Sequence, residues 1–229
     1  MKDISLIAFD ADDTLWECQT YFEAVEKEYC ELLKSYVSAD EISKALFAVE
    51  TANMPLLGYG SKAFLLSLLE NAIEVSGGRL KADEVEKIIK LGKELLQLPG
   101  KPMDGVEETL KVLRETGKYH LVVFTKGELL DQENKFHRSG LKPYFDDIIV
   151  VSDKTEASYY QLCERFSINV EQLLMVGNSF RSDIEPVLKL GGWAAHIPFH
   201  TTWQHEVVEE YEHPHLLKLE YFTQLNQVL

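Results

Sequence analysis

Cysteine is scarce in this chain: three in 229 residues, at positions 18, 30 and 163. No two of them form a Cys-x-x-Cys pair, which argues against a structural zinc and suits reduced thiols packed as small hydrophobes. None has a histidine close by in sequence, so a catalytic thiol is not expected. Basic residues are also short, 23 against 38 acidic, leaving a net charge of -15. With that deficit no stripe of Lys and Arg can neutralise a nucleic-acid backbone or hold an anionic membrane surface. A small phosphate ester is still admissible, because it needs only one local cationic site.

Long apolar runs are missing too. Nothing approaches the roughly 18 residues of a spanning helix, and the apolar stretch before Asp10 is too short for a signal peptide. The expectation is a cytoplasmic protein. Neither an internal repeat nor a low-complexity segment occurs. What remains is an ordinary globular balance, 45% apolar and 27% charged, sufficient for one large domain or a domain with an insertion.

The stretch with most information is Ile4 to Trp16, where the uncharged run Leu6–Phe9 ends in Asp10, Asp12 and Asp13. Such a run reads as a strand buried on both faces of a parallel sheet, and ligands gather beyond the carboxyl ends of such strands. Three carboxylates this close repel one another unless a cation or protons intervene. An acidic, solvated turn is the competing reading of these residues alone.

From about Thr20 to Leu98 the period becomes helical. Phe22, Val25, Tyr29, Leu32, Leu33 and Tyr36 mark one amphipathic face. A second helix is expected from Asp40 to about Thr51, capped by Ser38 or Asp40 and broken by Asn53-Met54-Pro55. A third begins at Ser61 and ends at Gly77-Gly78, and a fourth runs from Ala82 to Leu98. This predicts a four-helix-type unit over 18–98. Beyond Pro99-Gly100 the pattern alternates. Strands at Tyr119–Thr125, Asp147–Val151, Leu173–Val176 and Trp193–Ile197 are separated by helices at 106–115, 129–138, 156–166 and 183–190. That alternation implies right-handed βαβ units, hence an α/β, Rossmann-like doubly wound parallel sheet over 1–17 and 99–229.

Four strands deliver polar groups at their carboxyl ends: Asp10 and Asp12, then Thr125-Lys126-Gly127, then Asp153-Lys154, then Gly177-Asn178-Ser179 through Asp183. In a doubly wound sheet these loops share one rim. Taken singly, each has a plainer explanation. Lys154 reads as a solvated lysine, Thr125 as a strand-ending turn, and Asp183 as the cap of the next helix.

Together, Asp10-x-Asp12-x-Thr14, Thr125, Lys154 and Gly177-Asn178-Ser179 with Asp183 resemble the four ordered motifs of the haloacid dehalogenase-like hydrolase superfamily. The helical insertion resembles that superfamily's cap. The resemblance implies a Mg²⁺-dependent phosphatase acting on a small phosphate ester or anhydride, with pyrophosphate among the candidates. Asp10 is then the nucleophile that forms an aspartyl-phosphate. Asp12 is the general acid and base, a duty that calls for a raised pKa, and lends its backbone carbonyl to the metal. Thr125 and Lys154 serve the phosphoryl group. Asp10, Asp12, Asp183 and Asn178 form the metal set, oxygen donors of the kind Mg²⁺ prefers. Lys126 and Gly127 are expected at the phosphate. Tyr59 and Lys62, beside Gly58 and Gly60, are expected over the leaving group, against the plainer reading of an interhelical turn.

Two departures stand out: Asn178 where the fourth motif often carries Asp, and Lys126 where Asn often follows the hydroxyl residue. Within the family, the dehalogenase branch lacks the acid two residues after the nucleophile, so Asp12 favours phosphatase chemistry. A phosphoryl-transferring mutase and a catalytically silent phosphate-binding module are the alternatives. The expected partner is a small phosphorylated metabolite, not nucleic acid or membrane, bound by a monomer or homodimer. Asp13, Arg181, His213, His215 and the acidic stretch from Gln204 to Glu212 receive no functional role. Asp13 reads as turn chemistry or exposed charge, and Arg181 as the partner of a carboxylate.

Overall fold

In the computed structural model, which describes residues 3–229, the apolar runs are strands. They are β1 (Leu6–Phe9), β2 (His120–Lys126), β3 (Asp147–Val151), β4 (Leu173–Gly177), β5 (Trp193–His196) and β6 (Leu216–Lys218). All neighbours pair in parallel, in the order β3-β2-β1-β4-β5-β6. The chain winds outward from β1 to β3, then returns to the other side of β1 to lay down β4. The crevice between the carboxyl ends of β1 and β4 is therefore the topological switch point, where open parallel sheets bind ligands.

Alternation along the strands explains the two layers. Ile7, Phe9, Leu121, Val123, Leu174 and Val176 pack on Leu110, Leu113 and Phe136, which belong to α5 (Val106–Thr116) and α6 (Leu129–Ser139). Leu6, Ala8, Val122, Phe124, Leu173 and Met175 pack on Tyr159, Leu162 and Val187, from α7 (Glu156–Phe166) and α8 (Glu185–Lys189). Burial on both faces removes these side chains from water at about 25 cal/mol per Å² of apolar surface, which is why β1 and β4 carry no charge and β2 carries none over 121–125. The sequence pattern missed β6. It is three residues long, only partly buried, and follows the irregular 197–215 segment.

The chain divides into two compact units, 1–19 with 99–229, and 20–98. The second unit contains α1 (Gln19–Leu33, which starts one residue before it), α2 (Ala39–Leu57), α3 (Ser61–Val75) and α4 (Ala82–Leu95). Ser38 caps α2 in a reciprocal box with Glu41. The expected break at Pro55 does not occur: α2 continues through it to Leu57. Proline there sits one turn from the helix end, where losing one hydrogen bond costs least, and Gly58 N–H still closes on the Met54 carbonyl at 2.9 Å. Inside the bundle the buried Tyr29 hydroxyl donates to the Leu68 carbonyl at 2.9 Å and contacts Asn71 Oδ1 at 2.6 Å. Tyr59 and Lys62 both lie in this unit, in the Gly58–Gly60 connection and in the first turn of α3.

Candidate active site

Asp10 follows the last residue of β1, and its N–H still donates to the Val176 carbonyl at 2.9 Å, so the carboxylate starts from rigid sheet. Lys154, past the end of β3, is almost wholly buried and donates to Asp10 Oδ1 at 2.5 Å and to Asp183 Oδ1 at 2.7 Å. Burial by itself depresses an ammonium, but the two carboxylates outweigh it and keep Lys154 charged. For Asp10, burial dominates; despite the Lys154 charge, and with Asp183 adding repulsion, its pKa rises to about 7.

The other Asp10 oxygen faces Thr14. The Thr14 hydroxyl lies 3.1 Å from Asp10 Oδ2 and 3.2 Å from Asn178 Oδ1, sharing one hydrogen between a β1 group and a β4 group. Asp183 reaches the same rim because Gly177 has no side chain. A Cβ there would stand 2.2 Å from Asp183 Oδ2. The Ser179 N–H holds that oxygen at 3.0 Å. A π-helical turn at Phe180–Ile184 spaces Asn178 from Asp183, a geometry recurrent at functional sites. Thr125 is buried in the last turn of the strand rim, its hydroxyl 3.4 Å from the Lys126 carbonyl. Gly127 leaves β2 with φ 137°, and a Cβ there would meet Gln132 Nε2 at 3.0 Å.

Asp12 differs from expectation. Its two oxygens are taken by three donors: Lys135 Nζ at 2.7 Å to each, Gln132 Nε2 at 2.8 Å and the Trp16 indole N–H at 2.8 Å. Burial works to raise the pKa, but Lys135 and these hydrogen bonds reverse the balance, and the pKa is lowered. The raised value expected for Asp12 is therefore corrected. The reason is α6, whose inward face carries Gln132 and Lys135 beside Phe136. The alternation of Gln132, Lys135 and Phe136 on one face was the available signal: a helix presenting a lysine inward requires a buried anion.

Asp13 sits in the turn that the sequence suggests, and only the exposed-charge alternative fails. It is buried, adopts φ 64°, and its carboxylate accepts the Cys18 and Gln19 N–H groups at 2.8 and 3.0 Å, capping the entry to α1. Burial raises its pKa to about 7. Arg181, expected to partner a carboxylate, has its guanidinium donating to the His205 main-chain carbonyl at 2.5 Å instead. The Gln204–Glu212 stretch contains a buried charge, Glu206, which accepts from Lys126, Ser179 and Ser182. Lys126 is thereby engaged with Glu206 and with the Ser182 hydroxyl at 2.9 Å. No periodicity foretold this, because Glu206 lies in an irregular connection. His215 is half-buried, stacked on Trp193 with ring centroids 4.2 Å apart.

A metal must be judged on the donors. Among the described residues, no group of three His, Cys, Asp or Glu side chains forms a ready metal cluster. Asp10 and Asp183 share one lysine, and Asn178 Oδ1 faces the same threonine hydroxyl as Asp10. The side chains of Asp10, Asp183 and Asn178 offer a set of oxygen donors, which fits a hard cation such as Mg²⁺. The Asp12 side chain, held by three donors, is no part of it.

A parallel α/β sheet whose switch point gathers a buried aspartate, a lysine bridging it to a second aspartate, and a hydroxyl between defines a Rossmann-like hydrolase. The chain belongs to the haloacid dehalogenase-like hydrolases, whose family model matches residues 4–191. It is 29% identical over 185 residues to haloacetate dehalogenase H-2 of Moraxella sp. (strain B), covering 78% of this chain and 79% of that one. It is 25% identical over 193 residues to glyceraldehyde 3-phosphate phosphatase of Methanocaldococcus jannaschii, covering 81% of each. Among solved structures, a haloacid dehalogenase-like family hydrolase from Xanthomonas campestris superposes with TM-score 0.89 at 34% identity, over 99% of this chain and 90% of that one.

Proposed function

We infer that the protein is a phosphatase that hydrolyses a small phosphorylated metabolite through an aspartyl-phosphate on Asp10. The observation that carries this reading is the second rim carboxylate, Asp12, beside a lysine-neutralised Asp10. An alkoxide or phosphate leaving group and an attacking water both need a proton partner, whereas a departing halide does not. Asp10 is oriented by Lys154 and Thr14 for in-line attack. Lys154 offsets charge on the phosphoryl oxygens, and Thr125 supplies a hydroxyl on the same rim. Asp12, kept ionised by Lys135, stands ready as the base that takes a proton from water in the hydrolysis of the intermediate. Ionised when the leaving group departs, it holds no proton to give, so leaving groups that depart with little help are favoured. Asp10, Asp183, Asn178 and the Asp12 carbonyl are the residues that would hold Mg²⁺. Bound there, it would supply charge compensation for the phosphoryl group. Tyr59 and Lys62 are the proposed leaving-group contacts of the helical unit.

A second reading, dehalogenation, is favoured by one observation: the donors on Asp12 are those of a structural anion, and one relative is a haloacetate dehalogenase. The test is a paired screen. Phosphate release is measured with Mg²⁺ over sugar phosphates, nucleotides, phosphoglycolate and pyrophosphate, and halide release over short 2-haloacids, with Asp10→Asn as control. Phosphate release that needs both Asp10 and Mg²⁺ supports the phosphatase. Halide release alone would replace it.

A further inference from the structure

The 19 residues between β5 and β6, 197–215, contain only one short 3₁₀ turn, at Gln204–Glu206. Connections of that length inside a compact domain are uncommon and usually carry function. Here the turn buries Glu206 to 9% exposure. Its three donors have one thing in common. Lys126 directly follows Thr125, Ser179 directly follows Asn178, and Ser182 directly precedes Asp183. Ser182 Oγ stands 2.6 Å from the carboxylate, and Lys126 Nζ stands 2.9 Å from that same hydroxyl. One carboxylate therefore ties the β2 and β4 rim loops together from behind. The Trp203 ring, 6.0 Å from Lys126 Nζ, adds a second contact from the same segment.

The charges follow the same logic. Three lysines serve the rim, and each has an acidic partner: Lys154 with Asp10 and Asp183, Lys135 with Asp12, Lys126 with Glu206. Lys126 ends β2 one residue after Thr125, and its ammonium lies 2.9 Å from the hydroxyl of Ser182, the neighbour of Asp183, so it is the rim cation left for a second anionic group on a substrate. Its charge is already cancelled.

We propose that Glu206 is a specificity-determining residue that neutralises Lys126 and so restricts the site to substrates whose only anionic group is the scissile phosphoryl. The inference rests on the phosphatase reading and narrows it to phosphate esters of neutral carriers, disfavouring phosphoglycolate and pyrophosphate. Glu206 acts through Lys126 and the two serines, so it is a positioning residue as well.

Glu206→Gln is the informative change, because the amide keeps the shape and can still accept from the serines while leaving Lys126 with a net charge. Two readouts are taken with Mg²⁺ present. One is kcat/KM for phosphoglycolate relative to 4-nitrophenyl phosphate. The other is competitive binding of phosphoglycolate relative to inorganic phosphate, followed by calorimetry and independent of turnover. The variant is expected to raise both ratios, on the order of tenfold for one unmasked charge near the ligand. The double change Glu206→Gln with Lys126→Met should return both to the wild-type values. Loss of packing alone would lower both substrates together and leave the ratios unmoved, and unmoved ratios overturn the proposal. If the wild type releases phosphate from neither compound, the phosphatase reading falls, while the binding ratio still decides the role of Glu206.

Discussion

Asp10 shows how a buried carboxylate is kept in a fold at a cost. Its pKa stands near 7 because burial disfavours the anion more than Lys154 favours it. In the unfolded chain the same group titrates near 3.9. Between those values the native state binds the extra proton, so the contribution to stability is complete below about pH 4 and is lost as pH rises through 7. In chelator, thermal melts of the wild type should therefore fall from pH 5 to pH 8. Asp10→Asn should melt close to wild type only below about pH 4, above it by about 1.5 kcal/mol at pH 5, and above it by on the order of 4 kcal/mol at pH 8. Part of the slope should persist, because Asp13 is raised to about 7 by the same cause. A variant that melts below wild type at pH 8 would show that the Lys154 pair, not burial, governs the site.

At the scale of the element, α6 is the informative helix. Its inward face carries Asp131, Gln132, Lys135, Phe136 and Ser139, a largely polar side set against a sheet rim. Lys135 is nearly fully buried, with Asp12 as its ion-pair partner and Cys18 Sγ 3.9 Å from its ammonium. Removing one partner of such a pair leaves an uncompensated buried charge. Lys135→Met should therefore cost about 3 kcal/mol by denaturant titration, and Asp12→Asn in the same background should recover much of it. Additive losses in that cycle would mean that the two groups are not coupled. The element also marks the limit of sequence reading. The β1, β2 and β4 runs were legible because strands buried on both faces exclude charge, β3 because 148–151 is an unbroken β-branched run, and the rim motifs because they sit at the ends of those runs. The partners of Asp12 were not, since a polar residue on a helix declares its target only when the helix is placed. Glu206 was less legible still, having no period at all. Pro55 misled for a local reason: a proline one turn from a helix end is tolerated.

For the whole molecule, the order of the strands does the gathering. Placing β4 beside β1, with β2 on the other side, brings Asp10, Thr14, Asn178 and Asp183 to one crevice although some 170 residues separate them. The chain as a whole carries a net charge of -15, and the lysines on the rim are each matched by acid. Small substrates bearing one phosphoryl group suit such a field better than polyanions. The most direct measurement quenches the enzyme in acid during turnover and maps the peptide that contains Asp10. Two reactions are compared, one with 4-nitrophenyl phosphate and Mg²⁺, the other with chloroacetate. The account predicts a phosphoryl group on Asp10 from the first and no adduct from the second. An ester of Asp10 with the two-carbon acid, formed as chloride leaves, with no phosphorylated peptide from the first reaction, would contradict it.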